Sequence, residues 1–258
     1  MIEFIHAHLP SGKSFIDLFG GSAVVTISVI GQFDHVVYND INQRLVRFFR
    51  TLRDRSDELI EILDLTPAAR QELAECWDVA DDPVEDARRV FVLINQSFMK
   101  KGLWVRSAGW STPGAHCGAR RARSFRSAVG RLPKIAYLLS SVDIECRDFR
   151  KVAALGDENS VIFADPPYDI TARSGGGQYT NEMSEQDHRD LALLLDASPS
   201  AALVCGYRSD LYDALYAHWD LKETDISCST STVRGLGHGR RTECLWIKPH
   251  NAVRQYLI

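Results

Sequence analysis

Asp165-Pro166-Pro167-Tyr168 follows the apolar, β-prone run Val161-Ile162-Phe163-Ala164. Two adjacent prolines cannot continue a strand ladder, and each restricts the residue before it. The tetrapeptide therefore presents a carboxylate, a rigid carbonyl at Pro166 and an aromatic ring at a strand end, where open α/β sheets place their ligands. The chemistry that suits this set is that of a planar aromatic amine. Such an amine is a weak nucleophile because its lone pair is delocalised into the ring. Two acceptors on its two N–H groups favour the tetrahedral nitrogen that develops during reaction. Tyr168 can stack on the ring. The plainer alternative is a Pro-Pro turn with a solvent-facing Asp165.

A second group of residues suits a nucleoside. Residues 14–19 read as a buried strand, Gly20-Gly21-Ser22 as a turn, and residues 23–30 as a helix. Glycines at that turn let backbone approach a ligand closely. Asp40 ends the next strand, 35–39, and lies 20 residues beyond Gly20, a spacing at which an acid reaches ribose hydroxyls. An N-cap role for Asp40 on the following helix is compatible with that reading. Ser11-Gly12-Lys13-Ser14 resembles the end of a phosphate-binding loop, but position 7, where that motif needs glycine, is Ala7.

The elements that must position these groups alternate at both ends of the chain. Residues 142–145, 161–164, 201–205, 221–226 and 244–248 read as further strands. Helices are expected over 184–195, with Ser184 as N-cap, and over 209–217. The middle is purely helical, over 41–63, 67–80, 83–100 and 120–140, and residues 101–118 and 169–183 read as loops. The fold class is therefore α/β, a Rossmann-like sheet with a helical insertion. We divide it as a discontinuous catalytic domain, 1–53 and 140–258, and an insertion, 54–139.

Composition narrows the setting. The net charge is −4, with 45% hydrophobic and 25% charged residues, ordinary for a folded chain. The charge is polarised. Lys100, Lys101, Arg106, Arg120, Arg121, Arg123, Arg126, Arg131 and Lys134 fall in a stretch with no Asp or Glu, as expected of a face that meets phosphates. Trp104 and Trp110 lie in the same stretch and could stack on bases. Arg234, His238, Arg240 and Arg241 form a second basic group. The six cysteines are scattered without a C-x-x-C pair, so they read as reduced structural thiols rather than metal ligands. No apolar run approaches the roughly 20 residues of a membrane helix. The N-terminus has neither a basic start nor a secretory apolar core, so a cytoplasmic protein is expected.

The order Phe15-Ile16-Asp17-Leu18-Phe19-Gly20-Gly21-Ser22, Asn39-Asp40-Ile41-Asn42, Asp148-Phe149 and Asp165-Pro166-Pro167-Tyr168 resembles the Dam-like, DPPY-type adenine-specific DNA methyltransferases over nearly the whole chain. Leu93-Ile94-Asn95-Gln96-Ser97-Phe98 and Arg241-Thr242-Glu243-Cys244-Leu245-Trp246 add to it. The resemblance implies transfer of a methyl group from S-adenosyl-L-methionine to N6 of a flipped-out adenine in double-stranded DNA, as in DNA methylation and restriction-modification. It implies an S-adenosylmethionine-dependent methyltransferase sheet, an insertion that recognises the target, and no metal. By the same resemblance Phe19, Gly20, Gly21 and Ser22 line the cofactor pocket, and Asp17 lies near its amino acid end. Asp40 holds the ribose, Asp148 accepts from the adenine amino group, and Phe149 packs nearby. The plainer alternative for Asp148 is a helix N-cap. Asp165, Pro166, Pro167 and Tyr168 hold the target base. Lys100, Lys101, Trp104, Arg106, Arg120, Arg121, Arg123, Arg126, Arg234 and Arg240 are the expected DNA contacts, and a monomer is favoured. The alternatives are an RNA adenine methyltransferase or a catalytically weak DNA-binding relative. Two features depart from the family. Its Trp-x-Gly-Gly-Lys-like element is missing from the thirteen residues before Ser14, and Ala23 stands where a further glycine is common. Either the chain begins late or the methionine end of the cofactor is held differently.

Overall fold

The computed structural model describes residues 1–97, 102–103, 109–110, 118–167, 182–227 and 240–248, with backbone alone at 118–121, 226–227 and 240–241. Its contacts divide the chain into two units, Met1–Asn39 with Arg147–Gly175 and Met183–Ile258, and Asp40–Cys146 with Gly176–Glu182. The chain opens with α1 (Ile2–His6), β1 (Ser14–Asp17), α2 (Val24–Ser28) and β2 (His35–Asn39) in the first unit. The second unit holds α3 (Gln43–Asp54), α4 (Ser56–Leu65), α5 (Arg70–Glu75), α6 (Pro83–Gln96), α7 (Gly118–Val129), α8 (Leu132–Leu139) and β3 (Val142–Glu145). The chain returns to the first unit with α9 (Phe149–Ala153), β4 (Ser160–Ala164), α10 (Glu185–Ala197), β5 (Ala201–Gly206), α11 (Asp210–Leu215), β6 (Asp220–Ser227) and β7 (Arg240–Lys248).

The strands of the first unit form a sheet in the order β2-β1-β4-β5-β7-β6. β1 pairs in parallel with β2 and β4, and β4 with β5. β7 is antiparallel to both of its neighbours. This is the Rossmann-like α/β sheet that the sequence predicts. Every residue of β4 and β5 is buried, which is why both read as unbroken apolar runs. Strand order reverses between β1 and β4, and open sheets of this kind bind ligands beyond the carboxyl ends at that point.

Side-chain alternation sets the core. Ile16 and Leu18, Ile162 and Ala164, and Ala202 and Val204 each lie two residues apart on neighbouring strands, and join one apolar cluster. Phe149 and Val152 of α9, Leu191 and Leu195 of α10, Tyr212 of α11 and Trp246 of β7 also belong to it. Ser184 caps α10 as the sequence predicts, in a reciprocal capping box with Asp187. Gly12 and Lys13, the phosphate-loop lookalike, lie at the opposite end of β1. There the Lys13 N–H donates to the Asn159 carbonyl at 2.7 Å.

In the second unit α3 packs on α6. Arg44 donates to the buried Asp86 carboxylate at 2.9 Å and to the carbonyls of Cys76, Trp77 and Asp78. The sequence predicts one helix over 41–63, but the structure breaks it at Arg55, whose φ of −137° and ψ of 42° are not helical. The 67–80 segment is helical only at α5. The five-residue helices α1 and α9 escape the sequence reading, because one turn shows no periodicity. The expected loops 101–118 and 169–183 lie mostly outside the described residues. Within the first, Ser97 bridges Trp110, and the Gly102 N–H donates to Ser97 Oγ at 2.7 Å.

Candidate active site

The carboxyl end of β1 is built tightly. The Asp17 carboxylate is 1% exposed and accepts from Thr26 Oγ1 at 2.6 Å. The Leu18 N–H donates to the Phe163 carbonyl of β4 at 2.9 Å, extending the ladder by one residue. Gly20 then turns in under β2, its N–H donating to the Asn39 carbonyl at 2.7 Å. Gly21 has a φ of +48°, in the left-handed region that glycine tolerates, and its carbonyl accepts from Tyr38 Oη at 3.0 Å. Ser22 is exposed beyond the turn. Ala23, where a further glycine is common, also has a positive φ of 57°.

Asp40 follows β2 directly. Its Oδ1 accepts from the Asn42 N–H at 2.7 Å, a local turn rather than a helix cap. The N-cap of α3 is Asn42, whose side chain accepts from the N–H groups of Arg44 and Leu45. The capping alternative for Asp40 is thereby corrected: the helix begins two residues later than the sequence suggests.

Asp148 does cap a helix, accepting from the Arg150 N–H at 2.9 Å at the start of α9. The next residue, Phe149, is 7% exposed, and its ring centroid lies 5.4 Å from that of Phe19. Two aromatics 130 positions apart in sequence are thus brought together. Arg150 covers the other side of Phe149, 4.5 Å from the ring centroid. Its guanidinium pairs with Asp187 at 2.5 Å, Asp190 at 2.6 Å and Asp148 at 3.2 Å. These carboxylates hold the Arg150 pKa above its ordinary value, Asp187 first.

β4 delivers Asp165 exposed, Pro166 buried and Pro167 half-buried. Asp17 and Asp165 converge electrostatically on Cys205 of β5. Burial pushes that thiol well above its usual range, and the Asp165, Glu243 and Asp17 carboxylates push it further. Tyr207, directly after β5, donates from its hydroxyl to Glu243 at 3.2 Å.

Sequence reasoning did not assign Asn39, Tyr38, Arg150 or the Tyr207–Glu243 pair. Only Asn39 carried a signal, its place in Asn39-Asp40-Ile41-Asn42. Of the expected DNA contacts, Arg123 and Arg126 are described and exposed on α7. Arg126 pairs with Asp64 at 3.3 Å and also donates to the Asp64 carbonyl. Arg120, Arg121 and Arg240 are described in backbone only. Tyr168, Lys100, Lys101, Trp104, Arg106 and Arg234 lie outside the described residues.

The residues present at the β1 end fit a nucleoside that carries an amino acid. Among the described residues, a Cβ built on Gly21 would meet nothing closer than the Phe19 carbonyl at 3.8 Å. The Asp17 carboxylate suits an ammonium, the Phe19 and Phe149 rings, with centroids 5.4 Å apart, suit a purine, and the Asp148 carboxylate beside Phe149 suits an exocyclic amine.

The fold is an α/β sheet whose strand order reverses between β1 and β4. The chain belongs to the D12 class N6 adenine-specific DNA methyltransferase family, which it matches over residues 1–224. It is similar to the DNA N-6-adenine-methyltransferase of Escherichia phage P1, 27% identical over 266 residues, covering 92% of this chain and 33% of the phage protein. The chain therefore spans about a third of that relative. It is also similar to the type II methyltransferase M.MjaIII of Methanocaldococcus jannaschii, 25% identical, covering 82% of this chain and 80% of that one. A DNA adenine methylase of Salmonella typhi is 22% identical, covering 65% of this chain and 60% of its own length. Among the described residues no helix is long and apolar enough to cross a membrane.

Proposed function

We propose that the protein transfers a methyl group from S-adenosyl-L-methionine to the N6 amino group of an adenine in duplex DNA. The observation that carries this reading is the pairing of β1 with β4, which brings the glycine turn after Asp17 and the Asp165-Pro166 pair to neighbouring strand ends. Asp17, Phe19, Gly20, Gly21, Ser22, Asp40, Asp148 and Phe149 would hold the cofactor. The cofactor supplies a methyl carbon on a sulfonium, which leaves as a neutral thioether when an amine lone pair displaces it.

The chain's own contribution is binding and orientation. The Asp165 carboxylate and the Pro166 carbonyl accept the two N–H groups of the target amine and turn its lone pair out of conjugation. Tyr168 stacks on the base, which must leave the duplex to be reached. The nitrogen sheds one proton after transfer, and Asp165 is the acceptor at hand. The basic stretch 100–134 and residues Arg234 and Arg240 would contact phosphates and give salt-sensitive affinity. The helical second unit would recognise the target sequence, and the protein would act in the cytoplasm as a monomer.

The test is methyl transfer from labelled S-adenosylmethionine to duplex DNA, with matched RNA and Asp165→Ala as separate arms. Transfer to DNA, lost with Asp165→Ala while cofactor binding persists, supports the reading. Cofactor binding without transfer to any DNA overturns it, and transfer to RNA alone reassigns the substrate.

A further inference from the structure

We propose that Asn39 is a positioning residue that aligns the two halves of the cofactor site through its carboxamide; this rests on the methyltransferase reading above. Asn39 is 1% exposed. Its Nδ2 donates to the Leu18 carbonyl at 3.0 Å and to the Arg147 carbonyl at 3.1 Å. Its Oδ1 accepts from the Arg147 N–H at 3.0 Å, and its main-chain carbonyl accepts from Gly20 at 2.7 Å. Both amide protons are therefore used. The two-point contact with Arg147 has the donor and acceptor pattern of a ladder pair, with a side chain in place of a strand.

The positions held are those on which the site depends. Leu18 precedes Phe19 and the glycine turn, and Arg147 precedes Asp148 and Phe149. The Phe19 and Phe149 rings, 5.4 Å apart, therefore hang from two segments tied to one carboxamide. No other side chain fits the contacts. Aspartate has the same shape but no donor, and would set a carboxylate against two carbonyls. Glutamine is one methylene too long, and serine cannot reach both segments. The neighbours divide the work: Asn39 turns inward to backbone, whereas Asp40 bonds the Asn42 N–H.

The experiment uses the full chain, with S-adenosylmethionine and its demethylated product S-adenosylhomocysteine as calorimetric probes, and duplex DNA for steady-state rates. Asn39→Ala and Asn39→Asp are expected to raise the cofactor Kd and KM roughly tenfold or more, the equivalent of one lost buried hydrogen bond. At saturating cofactor, kcat should stay within about threefold. Asn39→Asp should regain affinity as the pH falls, because a protonated carboxyl recovers one donor, and Asn39→Ala should not. Folded variants that bind like the wild type, or an equal pH response in both, overturn the proposal. A wild type that binds neither probe overturns the methyltransferase reading and the proposal with it. Should the variants not fold, native-state hydrogen exchange on the cofactor-free wild type decides. The Gly20 and Arg147 amides should open in one event, with equal exchange free energies and equal denaturant slopes. Unequal values overturn the alignment by Asn39.

Discussion

The ring of Tyr38 occupies the space where a side chain at Gly20 would begin: a Cβ built on Gly20 would lie 2.2 Å from Tyr38 Cε2. Tyr38 is 1% exposed and donates to the Gly21 carbonyl at 3.0 Å, so the ring cannot swing aside without breaking the turn. Gly20→Ala is expected to cost about 1–3 kcal/mol of stability by overpacking, and to weaken S-adenosylmethionine binding as the turn shifts. Thermal unfolding and calorimetry check both, and a variant unchanged in both would remove the steric account of this glycine.

Ala23 is fully buried with a φ of 57°, which costs an L-residue about 1–2 kcal/mol. Ala23→Gly relieves that strain but loses a buried methyl and gains unfolded-state entropy, each worth about 0.5–1 kcal/mol. The net change should fall within about 1 kcal/mol of zero. Ala23→Val, β-branched in the same conformation, should be clearly destabilised. Equal urea midpoints for the two variants would contradict this.

Asp40→Ala and Asp165→Ala should separate binding from turnover. Loss of Asp40 should raise the S-adenosylmethionine Kd and leave kcat at saturation largely intact, and loss of Asp165 should do the reverse. An unchanged Kd in Asp40→Ala would refute its assignment to the ribose.

Arg150 makes the first unit sensitive to acid. Its hydrogen bond lowers the Asp187 pKa to about 2, with help from Ser184. An unfolded aspartate titrates near about 3.9. A carboxylate depressed on folding adds stability above the unfolded value, and that stability is lost as pH falls from about 4 to about 2. Arg150→Ala should therefore flatten the pH dependence of the urea midpoint across that window. Parallel profiles for variant and wild type would show that the pair contributes nothing there, as exposed pairs often do.

Lys248 closes the far end of α10. Its Nζ donates to the carbonyls of Leu195 at 2.6 Å, Asp196 at 3.0 Å and Ser198 at 2.7 Å, while burial lowers its pKa. Lys248→Met would leave those carbonyls without their donor, at a cost of about 1–3 kcal/mol, with cofactor affinity unchanged. A shift in affinity would mean that α10 reaches the site by a route beyond this cap.

The strands were legible because their information is local. Val142–Glu145 and His35–Asn39 match the expected bounds, since a short β-prone run between turn residues has few other states. Arg55 was not legible as a helix break, because no proline or glycine marks it and α3 and α4 are each stabilised by packing. Arg150 carries no signal in the sequence, because its three carboxylate partners, Asp148 at the cap of α9 and Asp187 and Asp190 of α10, meet it only in the folded chain.

By itself the sequence determined the chemistry on offer: a carboxylate before two prolines, a glycine turn after a buried strand, and an acid at the ribose spacing. These are covalent neighbours, and their backbone restrictions act before any fold forms. Only the tertiary structure decided which groups share a site. Strand order set β1 beside β4, the Asn39 carboxamide joined Leu18 to Arg147, and Phe19 met Phe149. Contacts between residues more than a hundred positions apart depend on sheet register and buried hydrogen bonding, which leave no periodicity in the chain.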